Sequence, residues 1–505
     1  MPELTTDIII LGSGFGGSLL ALLLARAGKS VAMVDRSRHP KFAIGESSTP
    51  LADRTLAQMA DEYGISELRP LCHWGSWKRE RPQLLCGKKR GFTYFDQTTG
   101  EDLTTEGFGA RRLLVSASAD DEHSDTHWLR SDVDQFVFQR AIASGVLTFE
   151  KCQYALRQED GQWVVEGNAD ADRKPIRIRA PFLIDATGSS NGVLKFLNIP
   201  DQTHLLKTNS RSIFAHFESA ATCEQLLHTR SIDVGMFPYH CDDAAVHQVL
   251  PDGWMWQLRF DDDTLSAGFM IDERLEADPI LLTFATPQEE WDWRIARSQF
   301  LSRQFENATI VRPESGLQST KRIQRLAGQG AGYNWAAIAN TVGFIDPLHS
   351  TGIAHTLFSV SRLADILLSG CDLAVHAKRL QDYSDKLIAE IRFVDELVEG
   401  CYEAIPSFPL WCQWGMLYFA AATSMEQTPA GKIGDVSFLR ANDVAFRTLM
   451  REARERLSLA RLSATPINNF SAWLKFAIGP WNQVGLFDDS CNNLYSRTAA
   501  PADAW

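Results

Sequence analysis

A glycine-rich turn near the N-terminus constrains the fold of this chain more than any other feature. The turn has the spacing G-x-G-x-x-G, with its glycines at Gly12, Gly14 and Gly17. An apolar run over residues 7–11 precedes it, and a helix-like stretch over 18–27, a second apolar run over 31–34 and then Asp35 follow. This order is typical of a dinucleotide-binding unit, in which the helix N-terminus faces the pyrophosphate and the acidic residue binds ribose hydroxyls. We therefore predict a Rossmann-type α/β fold.

The charge balance limits the partners of such a fold. The chain has 505 residues and a formal net charge of −13. Nucleic acids and anionic membrane surfaces are polyanions, so a strongly negative protein is a poor partner for either. The sequence therefore predicts a small-molecule substrate, with neither nucleic acid nor membrane as a partner.

The apolar segments and the cysteines bear on location and metal binding. The longest apolar helical stretches, residues 19–25 and 410–422, are shorter than the ~20 residues that span a bilayer. The N-terminal segment does not have the pattern of a cleavable leader. The nine cysteines include no C-x-x-C pair, which is typical of reduced, packed thiols. We expect a cytoplasmic protein without a bound metal.

A second motif lies at residues 344–352, which read FIDPLHSTG. It holds Phe344, Pro347, Ser350 and Gly352 at the spacing F-x-x-P-x-x-S-x-G. A proline turn with a glycine two residues after a hydroxyl residue lets backbone N–H groups converge on a small anion. An ordinary surface turn is the alternative, since Pro, Ser and Gly are common in loops.

Two other segments are candidates for contact with a bound nucleotide. Arg130 and Asp134 form an R-x-x-x-D pattern at the start of a helix-like stretch. A surface salt bridge, worth about 0.3–0.5 kcal/mol, is the plain alternative for this pair. Residues 182–188, FLIDATG, read as a buried strand that ends in a glycine turn.

Four features occur in the order typical of one family. They are the glycine turn at 12–17, the IGESS segment at 44–48, a W-x-W tripeptide after a glycine at 253–256, and the motif at 344–352. On these residues the chain resembles the flavin-dependent halogenases over about residues 5–425.

Two branches of that family are represented. Residues 40–71 and the aromatic helix from Phe408 are most similar to the branch that chlorinates phenols and pyrroles, whereas residues 346–353 resemble the tryptophan-halogenase branch. Branch membership therefore does not identify the substrate.

The resemblance implies a glutathione-reductase-like FAD-binding fold of the α/β class, with an antiparallel substrate-binding sheet and a helical C-terminal region. We expect an FAD-binding body at residues 1–390, with the sheet inserted at about 210–317, and a helical cap at 391–505. The residues expected to bind the cofactor are Gly12, Gly14, Phe15, Gly17, Asp35, Glu46, Ser47, Arg130, Asp185, Gly188 and Asp346.

The family chemistry also implies a lysine. In that family, reduced FAD and O2 oxidise a bound halide to hypohalous acid, which moves through a tunnel to a lysine near the aromatic substrate. Lys89 is the candidate and Lys88 the second choice. An amine can hydrogen-bond to hypohalous acid or be chlorinated by it. A solvated basic turn formed by Lys88, Lys89 and Arg90 is the alternative.

The halide site is expected at the second motif. The resemblance implies that backbone N–H groups of Thr351 and Gly352 point at chloride or bromide, with Pro347 and Ser350 shaping the turn. His349 occupies a position where tryptophan halogenases commonly carry an acidic side chain, and it is a candidate base for the proton that leaves the aromatic ring.

The W-x-W tripeptide departs from the family pattern. Trp254 and Trp256 are expected to line the tunnel and to keep substrate away from the flavin, but Leu258 and Arg259 stand where the family has Ile-Pro. This departure puts strict halogenation in doubt. A second W-x-W at residues 291–296 lies in a charged, helix-like stretch and is interpreted as unrelated.

The sequence therefore favours a halogenase-like oxidoreductase that acts on a small electron-rich aromatic metabolite. A monooxygenase or a geranylgeranyl-reductase-like enzyme without halide use is one alternative, and a non-catalytic flavin-binding protein is another. A second nicotinamide-binding fingerprint is not evident, so we expect a separate flavin reductase to supply the reduced FAD.

Overall fold

The structure, a computed structural model, describes residues 3–169, 174–275, 284–370, 373–427, 436–461 and 464–497. The strands are β1 (Leu4–Thr5), β2 (Ile8–Leu11), β3 (Val31–Val34), β4 (Cys86–Lys89), β5 (Gly91–Asp96), β6 (Arg112–Ser116), β7 (Asp125–Trp128), β8 (Leu147–Phe149), β9 (Gln153–Glu159), β10 (Gln162–Ala169), β11 (Lys174–Ala180), β12 (Phe182–Asp185), β13 (Ser210–Glu218), β14 (Ala245–Leu250), β15 (Gly253–Arg259), β16 (Leu265–Asp272), β17 (Thr309–Arg312), β18 (Gln318–Ser319), β19 (Arg325–Leu326), β20 (Ala331–Gly332), β21 (Trp335–Ala337), β22 (Gly343–Phe344) and β23 (Leu494–Tyr495).

The helices are α1 (Phe15–Arg26), α2 (Pro50–Glu62), α3 (Trp74–Glu80), α4 (Arg130–Ala143), α5 (Gly192–Phe196), α6 (Cys223–Thr229), α7 (Pro287–Ala296), α8 (Gln299–Gln304), α9 (Ala339–Val342), α10 (Thr351–Leu368), α11 (Leu373–Ala404), α12 (Phe408–Glu426), α13 (Val444–Ala460) and α14 (Ala464–Ala477). None of the described helices is long and apolar enough to cross a membrane.

The first sheet is the Rossmann-type sheet that the N-terminal motif predicts. Its strands lie in the order β20-β21-β12-β2-β3-β8, and all neighbours from β21 to β8 are parallel. Strand β2 is buried along its whole length, and α1 is buried from Phe15 to Leu24. A parallel strand and a helix covered on all sides need continuous apolar residues, which explains the runs IIIL and LLALLL. The predicted fold class is confirmed.

The second large sheet has the strand order β17-β13-β16-β15-β14-β5-β6-β23, with β18 also paired to β13. Strands β13 and β15 lie within the predicted insertion at about residues 210–317. The sheet extends beyond the predicted 210–317, because β5, β6 and β23 also belong to it. Strand β5 pairs in parallel with β14, and β23 with β6. Such pairings join segments far apart in the chain, and local alternation does not reveal them.

The C-terminal helices cover one face of this sheet. The residues of α12 are packed into the same hydrophobic core as β2, α1 and β15. The helical cap predicted for residues 391–505 begins within α11, which starts earlier, at Leu373, and continues unbroken to Ala404. Aromatic side chains of α12 therefore cover the face of the sheet that carries Phe92 and Tyr94.

Candidate functional site

The three glycines of the N-terminal turn have different local roles. Gly12 has a φ of +98°, and a Cβ atom there would lie 2.3 Å from the carbonyl oxygen of Ala186. A Cβ atom at Gly17 would lie 2.1 Å from the Gly12 oxygen. At Gly14, by contrast, the nearest atom is 3.7 Å away, on Asp134. The first and third glycines are required by the chain's own packing, whereas the second leaves open space before the N-terminus of α1.

Asp35 follows β3 beside this turn. Its carboxylate accepts hydrogen bonds from the Ser13 amide at 2.7 Å and the Ser13 hydroxyl at 2.8 Å, and it forms an ion pair with Lys41 at 2.7 Å. Burial raises the pKa of Asp35, but the Lys41 charge and the hydrogen bonds outweigh burial and hold the pKa below its usual value. An ionised acceptor therefore stands at the end of β3, where ribose hydroxyls bind in this fold.

Arg130 is the first residue of α4 and connects this helix to the IGESS segment at residues 44–48. Its guanidinium contacts both carboxylate oxygens of Asp134, at 2.8 and 3.0 Å, and donates to the carbonyl oxygens of Ile44 and Gly45. It also lies 4.8 Å above the ring of Phe15. The pair is half-buried or buried rather than a surface salt bridge, so Arg130 positions the segment that begins at residue 44.

Glu46 and Asp185 are both enclosed by protein groups. Glu46 is buried, with Oε1 at 3.0 Å from Nε2 of His216. Asp185 ends β12 and accepts hydrogen bonds from the Thr187 amide and hydroxyl and from the Val193 amide. Burial raises the pKa of Asp185. Its carboxyl group organises the turn that contains Gly188, whose φ is +60°.

Asp346 lies beside a pocket at the second motif. Its carboxyl group accepts hydrogen bonds from Tyr402 at 2.8 Å, the Leu348 amide at 3.0 Å and Ser210 at 3.2 Å. Burial raises the pKa of Asp346 to about 7. The pocket holds about 30 Å³ of space accessible to water. Its lining includes Asn340, Phe344, Asp346, Thr351, Gly352 and His355.

The N-terminus of α10 opens into this pocket. Thr351 and Gly352 are the first two residues of the helix, and N–H groups of a first turn have no acceptor within the helix. Together with the helix dipole they favour an anion. The left-handed residue of the turn is Ser350, with a φ of +51°. A Cβ atom at Gly352 would be 4.0 Å from Phe344, so this glycine leaves space rather than permitting an unusual backbone.

Lys89 is fully buried at the end of β4. Its Nζ donates to the carbonyl oxygen of Ser48 and lies 4.2 Å above the Phe92 ring. Burial lowers the pKa of Lys89 to about 8. Lys88 points the other way, with ion pairs to Asp121 and Asp243 at 2.7 and 2.9 Å. Alternation along the strand therefore separates the two lysines, and the basic-turn interpretation fits Lys88 but not Lys89.

Three carboxyl groups near Lys89 have no counterpart in the sequence motifs. Asp125 lies opposite Lys89 in the β4–β7 pairing, Asp53 is in the first turn of α2, and Glu426 ends α12. All three are buried, and burial is the largest cause that raises the pKa of each. Sequence reasoning missed them because they come from three elements that only the tertiary fold brings together.

An aromatic chamber extends from Lys89 along the covered face of the second sheet. Tyr94 stacks with His247 at 4.7 Å, and His247 lies 4.9 Å from the Trp254 ring. Tyr418 and Phe419 of α12 contact Phe92 from the opposite side. The rings of this chamber are buried and pack directly against one another.

The tryptophan pair borders this chamber despite its altered motif. The rings of Trp254 and Trp256 are buried and 6.3 Å apart, and Trp254 donates to the Tyr402 hydroxyl at 3.1 Å. Leu258 is buried. Arg259, the last residue of β15, donates to the backbone carbonyl groups of Ala220, Ala221 and Asp263. The residues that replace Ile-Pro therefore continue an ordinary strand and leave both tryptophans on the sheet. The second W-x-W lies on helix α7, outside this chamber.

His349 lies between the α10 turn and the chamber. Its ring stacks on Tyr418 at 4.2 Å, and Nε2 is 3.7 Å from the Cys401 sulfur. Burial lowers the pKa of His349 to about 3, so the imidazole is neutral at neutral pH. Pro347 precedes it, and the Pro347 carbonyl oxygen accepts from the Ser350 amide at 2.9 Å.

Comparisons with known proteins agree with this arrangement. A family model described as an FAD binding domain matches residues 5–251. Tetracycline 7-halogenase of Kitasatospora aureofaciens is 26% identical over 80% of this chain and 71% of its own length. Monodechloroaminopyrrolnitrin halogenase PrnC of Pseudomonas fluorescens is 26% identical over 98% of this chain and 82% of its own.

Solved structures share the fold. The crystal structure of halogenase PltM in complex with phloroglucinol and FAD has a TM-score of 0.81 at 21% identity, covering 99% of each chain. The flavin-dependent brominase Bmp2 has a TM-score of 0.63 at 18% identity, covering 90% of this chain and all of the other.

Proposed function

Because this chain belongs to the flavin-dependent halogenase family and is an FAD-dependent enzyme, we propose that it halogenates a small electron-rich aromatic metabolite with reduced FAD, O2 and chloride or bromide. The reaction joins the halogen of hypohalous acid to an aromatic carbon and breaks the halogen–oxygen bond. The ring proton and the hydroxide leave together as water. The observation that carries the proposal is the fully buried Lys89 at the edge of an aromatic chamber.

The cofactor residues would bind FAD along the edge of the first sheet. The open space at Gly14 fits the pyrophosphate, and Asp35 fits the ribose hydroxyls. The pocket beside Asp346 would receive the flavin end. When bound, reduced FAD supplies with O2 the oxidising power that converts halide into hypohalous acid.

Thr351 and Gly352 would hold the halide. Their N–H groups begin α10, and the α10 turn borders the same pocket as Asp346. An anion at this point gains from the unpaired N–H groups and from the helix dipole. Pro347 and Ser350 would keep the turn in place through their backbone hydrogen bond.

Lys89 would receive hypohalous acid at the far side of the turn. A buried ammonium group can donate a hydrogen bond to the oxygen and so polarise the halogen toward an aromatic carbon. Trp254 and Trp256 would separate the aromatic substrate from the flavin. His349, neutral and close to the chamber through Tyr418, would accept the ring proton.

A monooxygenase that does not use halide is the second candidate. The departure at Leu258 and Arg259 favours it, because the family pattern of the tryptophan segment is incomplete. The two candidates share the FAD-binding residues and differ in whether Thr351, Gly352 and Lys89 take part in the reaction.

The experiment is a substrate panel read by mass spectrometry. The protein is incubated with FAD, a separate flavin reductase, NADH and O2, with chloride or bromide, on indole, phenol and pyrrole compounds. The proposal expects a product whose mass and isotope pattern follow the halide supplied. Hydroxylated product that forms equally well without halide would instead favour the monooxygenase.

A further inference from the structure

The surroundings of Lys89 contain a carboxyl pair that the proposed reaction has not used. Asp53 and Asp125 are both fully enclosed, and their side chains are within hydrogen-bonding contact of each other. Two carboxylates have only acceptor oxygens, so they can hydrogen-bond only if one of them carries a proton. Oδ1 of Asp53 and Oδ2 of Asp125 are both buried and accept no hydrogen bond from another described group, which leaves them available to each other.

The pair is attached to the same loop as the lysine. The Ser48 carbonyl oxygen accepts from Lys89, the Ser48 hydroxyl lies 3.3 Å from Asp53, and it accepts from the Thr126 amide at 3.0 Å. Thr126 follows Asp125, which faces Lys89 across the β4–β7 ribbon. One serine therefore connects the strand of the lysine with both carboxyl groups.

We propose that Asp53 and Asp125 share one proton and, as a pair with a single negative charge, hold Lys89 in its ammonium form. This inference rests on the proposed function, in which Lys89 meets hypohalous acid. An ammonium group has no lone pair, so it donates a hydrogen bond to the oxygen and is not itself chlorinated. Asp53 and Asp125 are thus positioning residues. They favour the lysine as a hydrogen-bond donor over the lysine as an amine that is chlorinated.

The other groups around Lys89 do not supply this charge. Burial raises the pKa of Glu426 to about 8, which keeps it mostly protonated at neutral pH. Burial lowers the pKa values of His127 and His247 to about 3, which keeps both rings uncharged. Tyr418 also faces the cluster, and burial raises its pKa.

The electrostatic balance agrees with this assignment. Burial lowers the pKa of Lys89, and Asp125 and then Asp53 are the leading opposing causes. Burial raises the pKa of Asp53 well above its usual value, and the like charge of Asp125 raises it further, which favours a shared proton over two carboxylates. Loss of the whole pair's charge would therefore let burial drive Lys89 toward the neutral amine.

The test is an NMR titration of lysine labelled with ¹³C at Cε, on the full chain without substrate or halide. The Lys89 resonance is assigned by its loss in Lys89→Arg. We expect Asp53→Asn and Asp125→Asn each to keep the Lys89 midpoint close to that of the parent, because the remaining carboxyl group loses its like-charged neighbour and ionises. The double variant removes the charge, and its midpoint should fall by about 1–3 pH units.

Two results would overturn the inference. One is an unchanged midpoint in the double variant, and the other is a full drop in Asp125→Asn alone, which would describe a simple lysine–aspartate pair. Glu426→Gln is the matched control and should move the midpoint less than the double variant does, since Glu426 raises the pKa of Lys89 less than Asp125 or Asp53; a drop as large as that of the double variant would assign the charge to Glu426 instead. If the double asparagine variant does not fold, Asp53→Ser with Asp125→Ser removes the same charge with smaller side chains.

The titration is independent of halogenation. A shifted Lys89 midpoint in a protein that halogenates nothing in the substrate panel would reject the proposed function and keep the carboxyl pair. Halogenation with an unshifted midpoint would keep the proposed function and reject the role of the carboxyl pair.

Discussion

The hydroxyl of Ser350 donates a hydrogen bond to the hydroxyl of Ser47 at 3.1 Å, across 303 positions of the chain. Ser350 precedes helix α10, and Ser47 precedes the residue whose carbonyl oxygen accepts from Lys89. The expected halide turn and the buried lysine are therefore held by one loop, although they belong to different parts of the fold. Ser47 and Ser48 therefore connect the two sites directly.

Substitution of Lys89 should remove product without removing the cofactor. In Lys89→Ala we expect halogenation to fall by roughly 10²-fold or more, since a positioned proton donor contributes that much. FAD binding and consumption of reduced flavin should persist, because Lys89 is not among the residues expected to bind the cofactor. Lys88→Ala is the matched control, with an outward-facing lysine removed. Product at parental rates from Lys89→Ala would remove Lys89 from the mechanism.

Substitution of Gly352 should weaken halide use. Because the backbone there is ordinary and the nearest atom is 4.0 Å away, Gly352→Val fills the space before the first N–H groups of α10 without forcing a new turn. We expect the halide concentration for half-maximal rate to rise by about tenfold, a loss of ~1.4 kcal/mol. Halide titrations measure it. The halide concentration for half-maximal rate in Gly352→Ala should lie between those of the parent and Gly352→Val. Identical halide curves for the parent and both variants would place the halide elsewhere.

The glycines of the N-terminal turn should separate cofactor binding from folding. Gly14→Val should keep the stability of the protein without FAD but lose FAD affinity, because its side chain enters open space that the pyrophosphate needs. Gly12→Val should lower stability itself, through the contact with Ala186. Fluorescence titration with FAD and thermal unfolding distinguish them. Undiminished FAD affinity in Gly14→Val would reject the assignment.

The hydroxyl of Tyr402 should stabilise the border of the chamber. It donates to Asp346 and accepts from Trp254, so Tyr402→Phe leaves the buried Trp254 N–H without its acceptor and removes one of the three donors to Asp346. We expect a loss of about 1–3 kcal/mol in the free energy of unfolding. Denaturant unfolding measures it, with the exposed Tyr333→Phe as the control. Equal stability of both variants would show that the network contributes nothing.

The pH dependence of halogenation should follow Lys89. The ammonium form is present below a pKa of about 8 and is lost as the pH rises through that value, so product formation should fall over the same interval. Consumption of reduced flavin, measured in parallel, should not fall with it. A product yield that is flat through this range would contradict a role for the ammonium group.

The sequence predicted the parts of this site that depend on local patterns. Gly12, Asp35 and Arg130 lie in segments whose order of strand, turn and helix is readable over a few residues, and the structure has them in that order. The inward direction of Lys89 was within reach, because alternation along β4 separates it from Lys88. Strand pairing was harder to predict from the sequence, as the parallel pairing of β5 with β14 shows.

The carboxyl groups around the lysine could not be predicted. Asp53, Asp125 and Glu426 are separated by long stretches of chain and carry no common motif. Their meeting depends on the packing of α2 and α12 around the β4–β7 ribbon. The left-handed conformation of Ser350 was not predictable either, because that conformation ordinarily favours glycine.

The most direct test of the account compares the parent protein and Lys89→Ala on the aromatic panel, with bromide, with chloride and without halide, under equal supplies of reduced FAD and O2. The account predicts brominated or chlorinated product, according to the halide, from the parent alone, while both proteins consume reduced flavin. Product without halogen from the parent, or equal halogenated product from both proteins, would contradict it.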